Sequence, residues 1–324
     1  MKRVMLLSLV ALFSTVLLSG CQTSIDDAEK KEKDLVTVAE DEKPTPEDLV
    51  NTTVTLAMLP TQMLATGLPG GVEAAVYNKV GEALRDHANV ALVAESEMRS
   101  RLVDMSLEGS SAMYSSENAV EIGKLANAQF IAWVEIVRWN SSLRAYQVEL
   151  TGDDGKPYLE NRWDLGGEAD VSVKVLNVET GKYEASDTQV GSVMQTYEVQ
   201  PNEATQQYIA RQAIERAASN AVRKATRLNP YKGYILETLE NRELAKCRFD
   251  CETPPAVGTL VYAYRLLGMK EDPVTNQLYR DEKRVAKLVV ERVDSKDAVW
   301  CRTQSGEDRM LAGMYVRTAG LLND

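Results

Sequence analysis

Apolar and polar positions divide this chain into three regimes. Val4 to Leu18 is almost wholly apolar, behind Lys2 and Arg3 and ahead of Ser19 and Gly20. A short apolar run with these flanks predicts a secretory signal over 1–20, too short and wrongly bounded for a stable membrane span. Residues 22–50 are rich in Asp, Glu and Lys, contain Pro44 and Pro46, and keep no apolar period. That pattern predicts a charged, disordered linker with an average span of about 30 Å.

From residue 51 the periods alternate. TVTLAMLP, residues 53–60, predicts a buried strand, and Val72, Ala75, Val76, Val80, Ala83 and Leu84 recur at helical spacing. Val90 to Val93 predicts another strand. Ser96 and Ser116 are candidate caps for helices through Met98, Leu102 and Met105 and through Val120, Ile122 and Leu125. AQFIAWVEIVRW alternates as a strand, as do Ala169, Val171, Val173 and Val175, and Glu179-Thr180-Gly181-Lys182 has hairpin-turn chemistry. A long amphipathic helix then runs on Ile209, Ala213, Ala217, Ala221 and Ala225. Residues 51–228 are therefore expected to be an α/β (α+β) unit, a mixed sheet with three to four flanking helices. Beyond it, short strands at Thr259 to Leu266, Arg284 to Val293, Ala298 to Thr303 and Met314 to Ala319 predict a small all-β, SH3-like barrel over 229–324.

Charge narrows the partners. The whole chain carries −11, and removing Lys2 and Arg3 with the signal makes it −13. Such a surface argues against nucleic acid and against a basic membrane-binding patch. No phosphate loop, Ser-His pair or cluster of metal ligands is legible: GLPGG lacks the Lys-Ser/Thr ending, and Asp153-Asp154 lies in a turn-like, solvated section. His87, the one histidine, reads as a partly exposed helix-end residue. The sequence is thus expected to be no enzyme, with no cofactor, metal or small-molecule substrate. Cys247-Arg-Phe-Asp-Cys251 lacks a second ligand pair for zinc. In an oxidising compartment two of Cys247, Cys251 and Cys301 are candidates for a disulfide, with the pairing open.

Several short motifs carry resemblances. Leu18-Ser19-Gly20-Cys21 resembles the bacterial lipobox, which implies cleavage before Cys21 and its acylation, and Gln22 after it implies sorting to the outer membrane, on its periplasmic face. LANAQFIAWVEIVRW, VSVKVLNVETGKYEASD and TYEVQ, in this order, resemble the periplasmic domain of the curli-secretion lipoprotein family, CsgG and its relatives, whose fold LpoB-like activators of penicillin-binding proteins share. The family-like positions are Asn177, Thr180, Gly181, Tyr197 and Glu198. LVYAYRLLGMKEDPVTNQLY and RVAKLVVERVDSKDAVW, in this order, resemble the C-terminal domain of the flagellar outer-ring family, FlgT. These resemblances imply a membrane-tethered subunit of a secretion, appendage or ring complex, self-associating through sheet edges and the alanine stripe of its long helix, or alternatively an activator of a peptidoglycan synthase. Curli-type pore activity is disfavoured, because the candidate hairpins 141–168 and 183–200 are charged or short.

Overall fold

The computed structural model describes residues 25, 33–34, 37–239 and 242–321. The signal, Cys21 and Gln22 lie outside the described residues. The α+β expectation holds: a mixed sheet with four helices precedes a closed all-β barrel of six strands.

The sheet has the order β4-β2-β5-β6-β7. Strand β2 (Val54–Met58) leads through helix α1 (Val72–His87) to β4 (Val90–Leu92), which lies parallel to it. Between them β3 (Gln62–Met63) pairs with β5. Helices α2 (Glu95–Asp104) and α3 (Ser116–Leu125) then return the chain to β5 (Phe130–Thr151), parallel to β2 on its other side. An antiparallel meander follows through β6 (Pro157–Asn177) and β7 (Tyr183–Tyr197). The expected cap residues shift slightly: Ser115, not Ser116, accepts from the Asn118 N–H and caps α3, while α2 starts after Ala94 without a side-chain cap.

Both sheet faces are covered near β2. On one face α1 and α4 (Glu203–Ala225) bury Val76, Val80, Leu84, Ile214 and Ala217 against Val134, Val171 and Val173. On the other, α2 and α3 bury Met98, Leu102 and Ile122 around Trp133. Glu135 is buried beside that indole and fully engaged, accepting from Trp133 Nε1 at 3.0 Å and Lys174 Nζ at 2.7 Å. Asn202 caps α4 by accepting from Thr205 N at 2.9 Å. The alanine stripe of α4 is not available to a second copy. Ala213, Ala217, Ala221 and Ala225 are packed onto the protein's own sheet, and Gly191 lies so close beneath them that an added Cβ would overlap the backbone of Ala213 and Ala217. Small residues occupy this stripe because the helix and strand backbones approach closely.

The barrel runs β8 (Lys232–Leu239), β13 (Tyr315–Leu321), β10 (Thr259–Glu271), β11 (Leu278–Val293), β12 (Ala298–Ser305), β9 (Leu244–Phe249), and closes by β9 pairing with β8. Strands β8 and β9 carry no strong alternation and were absent from the sequence expectation. The hairpin of β10 and β11 also extends beyond the expected strands toward its turn, by 267–271 and 278–283.

The linker expectation fails for much of 25–50. Ile25 is buried among Leu239, Leu244 and Trp300. Strand β1 (Lys33–Asp34) pairs with the end of β8. Val38 is buried in the barrel core and donates its N–H to Ala312 O at 3.0 Å. Arg280 binds the Asp48 carboxylate and the carbonyls of Asp41 and Lys43, and Glu42 lies 3.2 Å from Arg265. The segment is polar in composition, yet Ile25 and Val38 find barrel niches. We call it the strap.

The two units meet through polar contacts. Asn229 Nδ2 donates to the carbonyls of Thr52 and Asn89, both at 2.7 Å, and the Tyr231 hydroxyl donates to Ala88 O at 3.2 Å. His87, expected to be partly exposed, is buried here with Nδ1 2.7 Å from Thr259 Oγ1. The helix end is wet in isolation, but the barrel sits on it.

Candidate interaction surfaces

The family-like residues separate into two clusters. Asn177 Oδ1 accepts from the N–H groups of Glu179 and Thr180 at 3.0 and 2.9 Å, and Gly181 takes a positive φ of 66° to close the turn. Val178 between them packs tightly on Gly123 of α3. Tyr197 and Glu198 stand at the opposite end of β7, where Tyr197 faces Trp163 and Glu198 pairs with Arg162 at 2.7 Å. A strand of 15 residues separates the clusters by about 45 Å. The structure therefore does not bring these residues together as one site; they build a turn and a strand end.

The edge of the sheet is also guarded. On β7 the Ser192 carbonyl accepts from Arg216 at 3.2 Å and the Val190 carbonyl from Asn220 at 3.0 Å, while Lys224 binds Asp187 at 2.6 Å. Three side chains of α4 thus occupy the middle of the strand edge that self-association through the sheet would use.

Two hairpins project instead. The last β6–β7 pair is Trp163 with Tyr197, so residues 146–162 continue as a two-stranded arm. Its faces mix Tyr146, Val148, Leu150 and Tyr158 with Glu160 and Arg162 on one side, and Leu159 with Gln147, Glu149 and Asn161 on the other. Neither is the apolar band that a bilayer-crossing strand presents. The second arm extends past the last β10–β13 pair, Tyr264 with Tyr315. Its tip exposes Val274 at 87% and Leu278 at 68%, with Leu267, Met269 and Tyr279 also exposed. The turn is well held. Asp272 Oδ1 accepts from Thr275 N at 3.0 Å and Val274 N at 2.8 Å, and those bonds, Thr275's first, hold the carboxyl below its usual range.

No family model matches the chain, and no curated protein does. Solved structures give weak likenesses. The LpoB C-terminal domain from Salmonella enterica overlaps at TM-score 0.30 and 13% identity, over 45% of this chain and 86% of that one. A hypothetical protein, CT253, from Chlamydia trachomatis reaches 0.33 and 15%, over 54% and 96%. Lipoprotein GNA1162 from Neisseria meningitidis reaches 0.32 and 10%, over 47% and 88%. These likenesses do not show a curli-secretion or flagellar outer-ring family.

Among the described residues, Cys247, Cys251 and Cys301 lie in the barrel as free thiols. Cys247 and Cys301 are buried side by side in its core, and Cys251 is half-buried at the β9 end with Sγ 3.6 Å from Phe249 O. The barrel exterior carries a row the sequence reading missed: Arg284 over Tyr262 at 4.6 Å and Arg317 over Tyr264 at 4.9 Å. Tyr262 and Tyr264 are two apart on one strand, a spacing visible in the sequence, but their cationic partners come from β11 and β13.

Proposed function

We propose that this chain is a non-catalytic, lipid-anchored subunit of an envelope assembly, acylated on Cys21, held on the periplasmic face of the outer membrane and docking protein partners through its projecting arms. The strap carries this reading. Ile25 is seated in the barrel four residues beyond the lipidation position, a stretch of at most about 14 Å. An acyl anchor at Cys21 would therefore hold the barrel against the bilayer rather than on a long tether. A building block whose copies or partners meet at the membrane surface needs such fixed placement. The activator role implied by the LpoB-like resemblance needs reach toward peptidoglycan, which a docked strap shortens.

The test is a native-envelope experiment on the full chain. Photocrosslinkers at Val274 and Leu278 are expected to give a discrete higher-mass complex in detergent extracts, and Val274→Asp with Leu278→Asp to abolish it while the circular dichroism spectrum is retained. A membrane-bound protein that remains monomeric and uncrosslinked at both positions would overturn the assembly reading. Loss of peptidoglycan synthase activity in an otherwise uncomplexed deletion would favour the activator.

A further inference from the structure

We infer that Cys247 and Cys301 form a disulfide across the barrel wall, leaving Cys251 as a free thiol. The two strands are directly paired: Cys247 faces Val299 and Cys301 faces Ala245, so the cysteines are diagonal neighbours one step of two residues apart. Side chains two apart on a strand share a face, and here that face is the barrel interior, where both cysteines are fully buried. The neighbouring Cys247 thiol, with burial, pushes the Cys301 thiol well up from its ordinary range. Cys251 has no place in this pair. It lies beyond the end of β9, in contact with the Phe249 carbonyl.

The chemistry balances as thiol–disulfide exchange with a disulfide oxidant, such as glutathione disulfide or an oxidoreductase disulfide. The thiolate of one cysteine attacks the oxidant and releases one thiol. The second thiolate attacks the resulting mixed disulfide, forms the Sγ–Sγ bond and releases the second thiol. Two protons leave the cysteines and two electrons pass to the oxidant. Because neither sulfur reaches solvent in the closed barrel, the exchange belongs to folding, before β9 and β12 are sealed. The bond would then lock the seam that encloses β10 and β11.

The test is oxidative refolding of the full chain carrying Cys21→Ser, in a glutathione redox buffer, followed by denaturation, alkylation and peptide mapping. This requires neither export nor lipidation, so it fails or succeeds independently of the proposed anchoring. One alkylated cysteine, Cys251, with a linked pair of peptides containing Cys247 and Cys301, is the expected result. Under reductant all three are alkylated. A linked peptide containing Cys251, or three alkylated cysteines after refolding without reductant, overturns the assignment. Natively folded, reduced protein is expected to resist the same oxidant until unfolded, and rapid oxidation of the folded form would overturn the account of when the bond forms. Cys301→Ala is expected to refold with two free thiols, and Cys251→Ala to retain the linked pair and its higher midpoint of thermal unfolding under non-reducing conditions.

Discussion

Replacing Ile25 by Asp should detach the strap without unfolding the barrel. Ile25 is 8% exposed and touches a niche of Leu239, Leu244 and Trp300. Seating an isoleucine side chain fully in such a niche contributes about 1.5–3 kcal/mol. Ordering the segment opposes this through lost chain entropy, so the net preference for the docked form lies below that figure. An aspartate loses the apolar gain and adds the cost of desolvating a carboxylate without a partner, so the docked form becomes the minor one. Among the described residues the next attachment is β1 at Lys33, twelve residues beyond Cys21, and the greatest reach between anchor and barrel grows from about 14 Å to about 40 Å. The assay places a donor dye on Lys296→Cys, in an otherwise Cys251→Ser chain, and an acceptor on lipid headgroups, using acylated protein in vesicles. Both proteins should sediment with the vesicles. Energy transfer should fall in Ile25→Asp. Equal transfer in the two, with both vesicle-bound, would refute the strap as the element that sets the standoff. Failure of the unsubstituted protein to bind vesicles would refute the anchor instead.

Other consequences are as direct. Gly191→Val forces a side chain into the backbone of Ala213 and Ala217, and should destabilise the fold by about 1–3 kcal/mol, read as a fall in the thermal midpoint. Arg216→Ala with Asn220→Ala strips the carbonyl partners from Ser192 and Val190 on the β7 edge, and should raise concentration-dependent association in light scattering; unchanged scattering would show that the edge is blocked by something else. Burial holds the His87 imidazole below its ordinary value, against the opposing pull of Asp86. The unfolded chain then takes up a proton at about pH 6.5 while the folded chain does not. Stability is full above that pH and declines as pH falls from it toward the depressed folded value. Urea midpoints should show this slope below about pH 6.5, and His87→Gln should flatten it.

How much of this was legible in the residues depends on where the deciding partner sits. Local periods announced α1, α4 and the alternating β5 and β6, because each buries one face whose spacing the sequence displays. The turn at Asn177 to Gly181 was equally local, being made by a side chain bonding its own backbone two and three residues on. Strands β8 and β9 escaped because a small barrel curls each strand until both faces are partly covered, which erases alternation. The strap escaped for a different reason. Its charge is that of a solvated linker, and nothing in QTSIDDAEKKEKDL reveals that Leu239, Leu244 and Trp300, more than 200 positions away, leave a niche for Ile25.

The sequence by itself determined the order of an α/β unit followed by a β barrel, because apolar period and turn chemistry are properties of neighbours along the chain. Tertiary structure alone decided that α4 spends its alanine stripe on its own sheet, that Cys247 and Cys301 share one wall of the barrel, that His87 is sealed beneath Thr259, and that the charged N-terminal segment is a strap. Each of those depends on surfaces brought together from distant positions, where burial and close approach, not local pattern, set the energy.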